Sequence, residues 1–149
     1  MKKEITIAAS SAVALIILLG SASYLLFPKV SVQAYTASID LYTQNGGRGT
    51  NEPCSNFTRN QTVTLYAEVR NASNAPQSGR FVSFEVHWPA NGTGSIIALD
   101  TAQTNSTGIA SMQFRIPLSS YSLGKWLVYS TVVVDNQFLA DTLTFFVPQ

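Results

Sequence analysis

Side chains that carry chemistry are scarce in this chain. Its 149 residues include one cysteine and one histidine, and charged residues make up only 11%. A lone Cys54 excludes an intrachain disulfide, so the fold must rest on its apolar core. Two readings of Cys54 remain: a buried thiol, or an intermolecular bridge in an oxidising compartment. His87 has only Glu85 beside it on a strand face, whereas zinc and copper sites take three or four protein groups. With no second His or Cys, no metal or cofactor is expected. The acids Asp40, Glu52, Glu68, Glu85, Asp100, Asp135 and Asp141 are scattered singly, with no D-x-D-x-D-G calcium loop and no spacing that argues a hydrolytic pair. G-x-S-x-G is absent. Gly46-Gly47-Arg48-Gly49 lacks both the Gly-Lys-Ser/Thr ending and the following helix of a phosphate loop. A catalytic site must be shown by residues rather than by fold, so the expectation is a protein that is not an enzyme.

Charge of either sign is also thin. Nine Lys/Arg and eight Asp/Glu leave a net charge of +1, and from Lys29 onward the two signs balance. No basic patch is visible, which argues against nucleic acid as a partner. Beyond Lys2 and Lys3 there is no polybasic stretch for anionic lipid either.

What the chain does have is a long apolar run. Ile5 to Phe27 holds no charged residue across 23 positions. As a helix rising about 1.5 Å per residue, it is long enough to cross a hydrocarbon core of about 30 Å. Tyr24 then sits near the headgroups and Pro28 ends the span. Lys2 and Lys3 place the N-terminus in the cytoplasm and the rest outside. A signal peptide cut near Ser21-Ala22-Ser23 is the alternative, but it leaves Tyr24-Leu25-Leu26-Phe27 exposed at the new terminus. A pilin-type helix is a third reading, weakened because Lys2-Lys3-Glu4-Ile5 offers no small residue at the usual cleavage point. The expected division is an anchor over 1–28 and one extracytoplasmic domain over 29–149, of ordinary single-domain size.

Five of the nine asparagines lie in N-x-S/T sequons: Asn56, Asn60, Asn71, Asn91 and Asn105. Asn71, Asn91 and Asn105 fall in expected turns, where a glycan stands clear of a core. Asn, Ser and Thr also favour turns for their own reasons. Glycosylation is expected in a host with the machinery, such as an archaeal or eukaryotic cell surface.

Beyond Pro28 the pattern has period two. Val30 to Thr43 alternates loosely as one strand or two short ones. Thr62–Arg70 sends Val63, Leu65, Ala67 and Val69 to one face, and Arg80–Trp88 does the same with Val82, Phe84, Val86 and Trp88. Ser95–Asp100 is a short strand, and Ile109–Ile116 groups Ala110, Met112, Phe114 and Ile116. Lys125–Asp135 and Phe138–Val147 pair through an Asp135-Asn136 turn. About seven strands with no amphipathic helix between them predict an all-β, two-sheet sandwich. Trp88 and Trp126 belong to its core; Tyr66, Tyr121 and Tyr129 complete the aromatics that a sugar platform would need, although packing is their commoner role.

Five stretches resemble bacterial-Ig-like and macroglobulin-type modules. Thr62-Val-Thr-Leu-Tyr-Ala-Glu-Val and Pro76-Gln-Ser-Gly-Arg-Phe-Val-Ser-Phe-Glu-Val are similar to their second and third strands. Thr104-Asn-Ser-Thr-Gly-Ile-Ala-Ser-Met-Gln-Phe resembles their turn and strand, and Gly124-Lys-Trp-Leu-Val-Tyr-Ser with Thr144-Phe-Phe-Val their closing pair. The resemblance covers about residues 60–148 and implies an Ig-like fold. Its functional implication is broad: spacers, adhesin stalks and filament parts.

The stretch Thr43 to Asn60, TQNGGRGTNEPCSNFTRN, is long for a loop in a compact domain, which marks it as a contact site or a mobile glycosylated segment. The functional expectation is a membrane-anchored, glycosylated Ig-like module that is structural or binds partners, either other surface proteins or copies of itself. The alternative is a subunit of an extracellular filament, through a pilin-like helix or strand exchange. Archaeal filament proteins and archaellum-associated stator proteins likewise join a hydrophobic N-terminal helix to a β-sandwich.

Overall fold

Alternation along the chain resolves into seven strands in the computed structural model, which describes residues 36–49, 54, 56–88 and 94–149. They are β1 Ser38–Thr43, β2 Thr62–Arg70, β3 Phe81–Trp88, β4 Ser95–Gln103, β5 Ile109–Arg115, β6 Gly124–Val134 and β7 Gln137–Val147. A 3-10 turn, Ser120–Ser122, precedes β6. All pairings are antiparallel, in a three-stranded sheet β1-β2-β5 and a four-stranded sheet β4-β3-β6-β7. The chain changes sheet after β2, β4 and β5, a crossing pattern consistent with the Ig-like sandwich expected from the sequence.

The inward residues of both sheets meet as expected. Val63, Leu65, Ala67 and Val69 of β2 are fully buried, as are Val82, Phe84 and Val86 of β3. Trp126 sits at the centre, stacked on Phe145 at 5.7 Å and on Phe114 at 6.0 Å. Its indole N–H donates to the Ser122 carbonyl at 2.9 Å, which anchors the 3-10 turn. Trp88 is half-buried and packs against this cluster. Burying each such large side chain stabilises the fold by about 1.5–3 kcal/mol.

Backbone chemistry closes the ends. Asp135 and Asn136 both have positive φ, 50° and 63°, the geometry of a two-residue hairpin turn. Gly108, at φ +79°, lies so close to the Val69 carbonyl that a Cβ would stand 2.7 Å from it. At the sandwich edge Asp141 of β7 reaches across, and its carboxylate accepts the Leu41 N–H of β1 at 2.7 Å. That bond satisfies an edge donor with an inward-pointing charge.

Three expectations need correction. The first strand does not fill 30–43: β1 begins at Ser38, and residues 30–35 lie outside the described residues. β4 does not stop at Asp100 but runs to Gln103, because Thr101 to Gln103 continue to pair with Ser83 to Phe81. The long stretch after Thr43 is not a free loop in its described parts. Gly46 bridges to Thr43 and Cys54, and Phe57 is fully buried, edge-to-face with Phe145 at 5.0 Å. The hydrophobic segment 5–27 and the 28/29 boundary lie outside the described residues, among which no helix is long and apolar enough to cross a membrane.

Candidate interaction surface

The outward face of the three-stranded sheet gathers the polar and aromatic groups that alternate with the core. Register sets Tyr42 opposite Tyr66 and Asp40 opposite Glu68. The tyrosine rings stack at 5.2 Å with 22° between their planes. Past β1 the chain folds back over this face. Gln44 extends the pairing: its side-chain amide donates to the Thr62 carbonyl, and its oxygen accepts the Thr64 N–H at 2.8 Å. Gly47, at φ +88°, tucks against β7, where a Cβ would fall 2.6 Å from Leu143 Cδ1. Only glycine suits both that backbone and that space.

This turn delivers Arg48 onto the face. Its guanidinium lies 5.2 Å from the Tyr42 ring centroid and ion-pairs with Glu68. Arg70 ion-pairs with the other Glu68 oxygen, and its Nε donates to it at 2.8 Å. Arg70 also donates to the Asn74 carbonyl at 2.8 Å. Glu68 is thus covered, its side chain 7% exposed, while Arg48 remains 59% exposed above it. Burial pushes the Glu68 carboxyl up, but hydrogen bonds and charge from Arg48 and Arg70 outweigh this and hold it below the ordinary glutamate value. Burial also raises the Tyr42 phenol, partly offset by Arg48. Glu68 in turn raises Arg48, so the guanidinium stays charged. The result is a ladder of two rings and two cations around one carboxylate.

The sequence-derived candidates fall elsewhere. Cys54 is half-buried, and its thiol lies 3.2 Å from Thr43 Oγ1. Burial pushes this thiol up, opposed by the Thr43 hydrogen bond. His87 stands on the outward face of the four-stranded sheet, 3.1 Å from Glu85, as strand parity implied. It is more covered than parity suggested, with its side chain only 13% exposed, because Tyr129 packs edge-to-face on it at 5.2 Å. Among the described residues no three His, Cys, Asp or Glu gather as a metal site. The glycine turn is no anion cradle either, since the Gly49 N–H already donates to the Asp40 carboxylate at 3.0 Å.

Of the sequon asparagines, Asn56, Asn60 and Asn105 are exposed and Asn71 is half-buried, while Asn91 lies outside the described residues. Asn71 Oδ1 accepts from the Ser73 and Ala75 N–H groups, both at 2.9 Å. Asn105 Oδ1 accepts from the Thr107 N–H and, at 2.7 Å, from its hydroxyl. Both side chains therefore hold their own turns through the oxygen. Sequence reasoning missed the Arg48–Glu68–Arg70 group. The only sequence signal was the clean outward alternation of Tyr66, Glu68 and Arg70 on β2.

No family model matches the sequence, and no curated protein matches it. Among solved structures, an engineered protein aligns at TM-score 0.49 and 11% identity, over 75% of this chain but only 20% of its own length. The soluble domain of PmoD from Methylocystis sp. aligns at TM-score 0.43 and 13% identity, covering 74% of this chain and 90% of that one. A CARDB domain from Pyrococcus furiosus, solved with di-metal ions, aligns at TM-score 0.41 and 13% identity, covering 81% and 97%. Similarities at this level carry no argument about what the chain does.

Proposed function

We propose that this chain is a non-enzymatic cell-surface protein in which Ile5–Phe27 anchors a glycosylated sandwich outside the membrane, as a structural or partner-binding module. The observation that supports recognition is the Tyr42–Tyr66–Arg48–Glu68–Arg70 ladder. Tyrosine and arginine are the residue types that dominate interface energetics, and here they are already stacked and ion-paired. Pre-fixed side chains lose less entropy when a partner arrives. The exposed Arg48 suits a carboxylate-bearing surface on another envelope protein.

Intact mass of the protein extracted from its own cells, before and after glycan removal, tests the reading. A mass that retains residues 5–27 and falls on deglycosylation supports it. A mass beginning after Ser23 overturns the anchor, and one unchanged by deglycosylation overturns the glycan assignment.

A second reading, the filament subunit, is favoured by one feature. β4 is an edge strand nine residues long, with Ile96, Ile97 and Leu99 exposed and Asp100 its only charge. Natural edges are usually blunted by lysine, proline or a covering segment, and an unprotected edge is suited to strand addition. Native material that sediments as ordered polymer, and ceases to do so on Leu99→Lys, would establish this reading; a monodisperse monomer in detergent would retire it.

A further inference from the structure

We infer that Asn105 is an occupied glycosylation site whose sugars lie over Phe81 and cover the apolar rim of the four-stranded sheet. This rests on the glycosylated reading above. Register places Gln103 opposite Phe81 and Val133 opposite Phe138, and Phe81 directly precedes the Val82–Val132 pair. Gln103, Phe81, Val133 and Phe138 therefore form one row across β4, β3, β6 and β7. Their neighbours Val82, Val132 and Val134 are buried in the core, which turns the row outward. Phe81 is 68% exposed, Val133 55% and Phe138 70%. Other exposed apolar groups on this face stand singly, Leu99 opposite Glu85 and Phe146 opposite Lys125. Scattered single side chains are ordinary on a protein surface, whereas a contiguous row marks a place where something else sits.

The chain itself carries an occupant for that place. Thr104 is buried and clamped to the residue before β3: its N–H donates to the Arg80 carbonyl at 2.8 Å, and its Oγ1 accepts the Arg80 N–H at 2.9 Å. With Thr104 turned inward, Gln103 and Asn105 on either side of it are exposed. Asn105 thus stands two residues beyond Gln103, the cross-strand partner of Phe81. From the rise along a strand and the spacing between strands, the Asn105 and Phe81 backbones are about 8 Å apart.

The turn that follows suits a sugar on this side chain. Asn105 Oδ1 accepts from the Thr107 N–H at 2.9 Å, the Thr107 hydroxyl at 2.7 Å and the Ile109 N–H at 3.1 Å. Its amide nitrogen makes no hydrogen bond among the described residues. An N-linked sugar bonds to that nitrogen and leaves the oxygen its three bonds, so attachment does not disturb the turn. A sugar ring also presents a face of C–H groups with partial positive charge, which the negative face of an aromatic ring attracts. Asn71 is the other described sequon at this end, but it is half-buried and follows β2 of the other sheet. Asn105 follows β4 and so starts from the sheet that carries the row.

The test compares the full chain extracted from its own cells with the same chain made in cells that lack N-glycosylation, both in one detergent. Glycopeptide mass reads the occupancy of Asn105, and hydroxyl-radical footprinting reads the oxidation rate of each aromatic residue. Phe81 is expected to oxidise about threefold more slowly in the glycosylated chain. Tyr121, 77% exposed in the 3-10 turn at the opposite end, should keep one rate in both. Thr107→Ala abolishes the sequon yet keeps Asn105 and the backbone bonds to its oxygen, so Phe81 should return to its unglycosylated rate. Thr107→Ser keeps the sequon and should keep the protection, and Ser73→Ala, which removes the Asn71 sequon, should leave it intact. A chain with no glycan at any site overturns the glycosylated reading and this inference together. A chain glycosylated elsewhere but bare at Asn105 overturns this inference alone. So does a modified Asn105 with Phe81 oxidised at the unglycosylated rate, or protection that survives Thr107→Ala. Protection lost in Ser73→Ala would assign the cover to Asn71 and overturn it as well.

Discussion

At the scale of single residues, Glu68 is the group whose chemistry the fold alters most visibly. Its carboxyl lies below the ordinary 4.5 because Arg48 and Arg70 outweigh its burial. A carboxyl lowered by folding stabilises the native state above its unfolded value, and that contribution is lost as pH falls through the lower folded value. Glu68→Gln is therefore expected to cost about 1–3 kcal/mol near neutral pH, as judged by urea unfolding. Near pH 3 the gap between variant and parent should narrow. Equal losses at both pH values would show that the side chain acts through packing alone. Ser130 offers the opposite case: its hydroxyl is buried and makes no hydrogen bond among the described residues. Ser130→Ala should be neutral or stabilise by up to about 1 kcal/mol, and a clear loss in thermal unfolding would reveal a partner for that hydroxyl. The Cys54 thiol, raised by burial, should react with an exchange reagent more slowly in the folded protein than in urea.

At the scale of elements, the described part of the stretch after β1 behaves as a strap pinned at both ends. Gly47 seats its start against Leu143, and Phe57 seats its finish among the core aromatics, with the Phe57 N–H donating to the Phe146 carbonyl at 3.0 Å. Phe57→Ala removes a fully buried ring and should cost about 3–5 kcal/mol in chemical denaturation. It should also speed tryptic cleavage at Arg59, since releasing the pin frees the segment for protease. Unchanged cleavage would mean that the turn hydrogen bonds, such as Asn60 N–H to the Ile116 carbonyl at 2.9 Å, hold the strap alone. Nothing in N-F-T-R-N marks that phenylalanine as core, because its neighbours are polar and no alternation surrounds it. The Asp135-Asn136 turn, by contrast, was legible in advance, since the residue types that tolerate positive φ stand between two alternating runs.

At the scale of the whole molecule, the two sheets expose different surfaces. The three-stranded sheet presents an ordered polar and aromatic ladder, and the four-stranded sheet presents an apolar rim and, among the described residues, an unpaired β4 edge. Leu99→Lys places a charge on that edge at a 65% exposed position, so its cost to folding should be small. Any self-association through β4 should then disappear in analytical sedimentation, while persistence would place the contact on another surface.

The sequence by itself determined the strands, because a half-buried strand writes its environment in a period of two that no distant residue is needed to read. It also determined the hairpin turn and the apolar run over 5–27. Tertiary structure alone decided which outward positions became covered. Glu68 alternates outward and would be solvated were Arg48 not brought onto it from 20 residues away. The edge N–H of Leu41 is satisfied by an aspartate 100 residues later. Phe57 enters the core, and Phe81, Val133 and Phe138 line up on a rim, only once strands far apart in the chain have paired. Local periodicity fixes which way a side chain points; what it meets there is set by non-local closure.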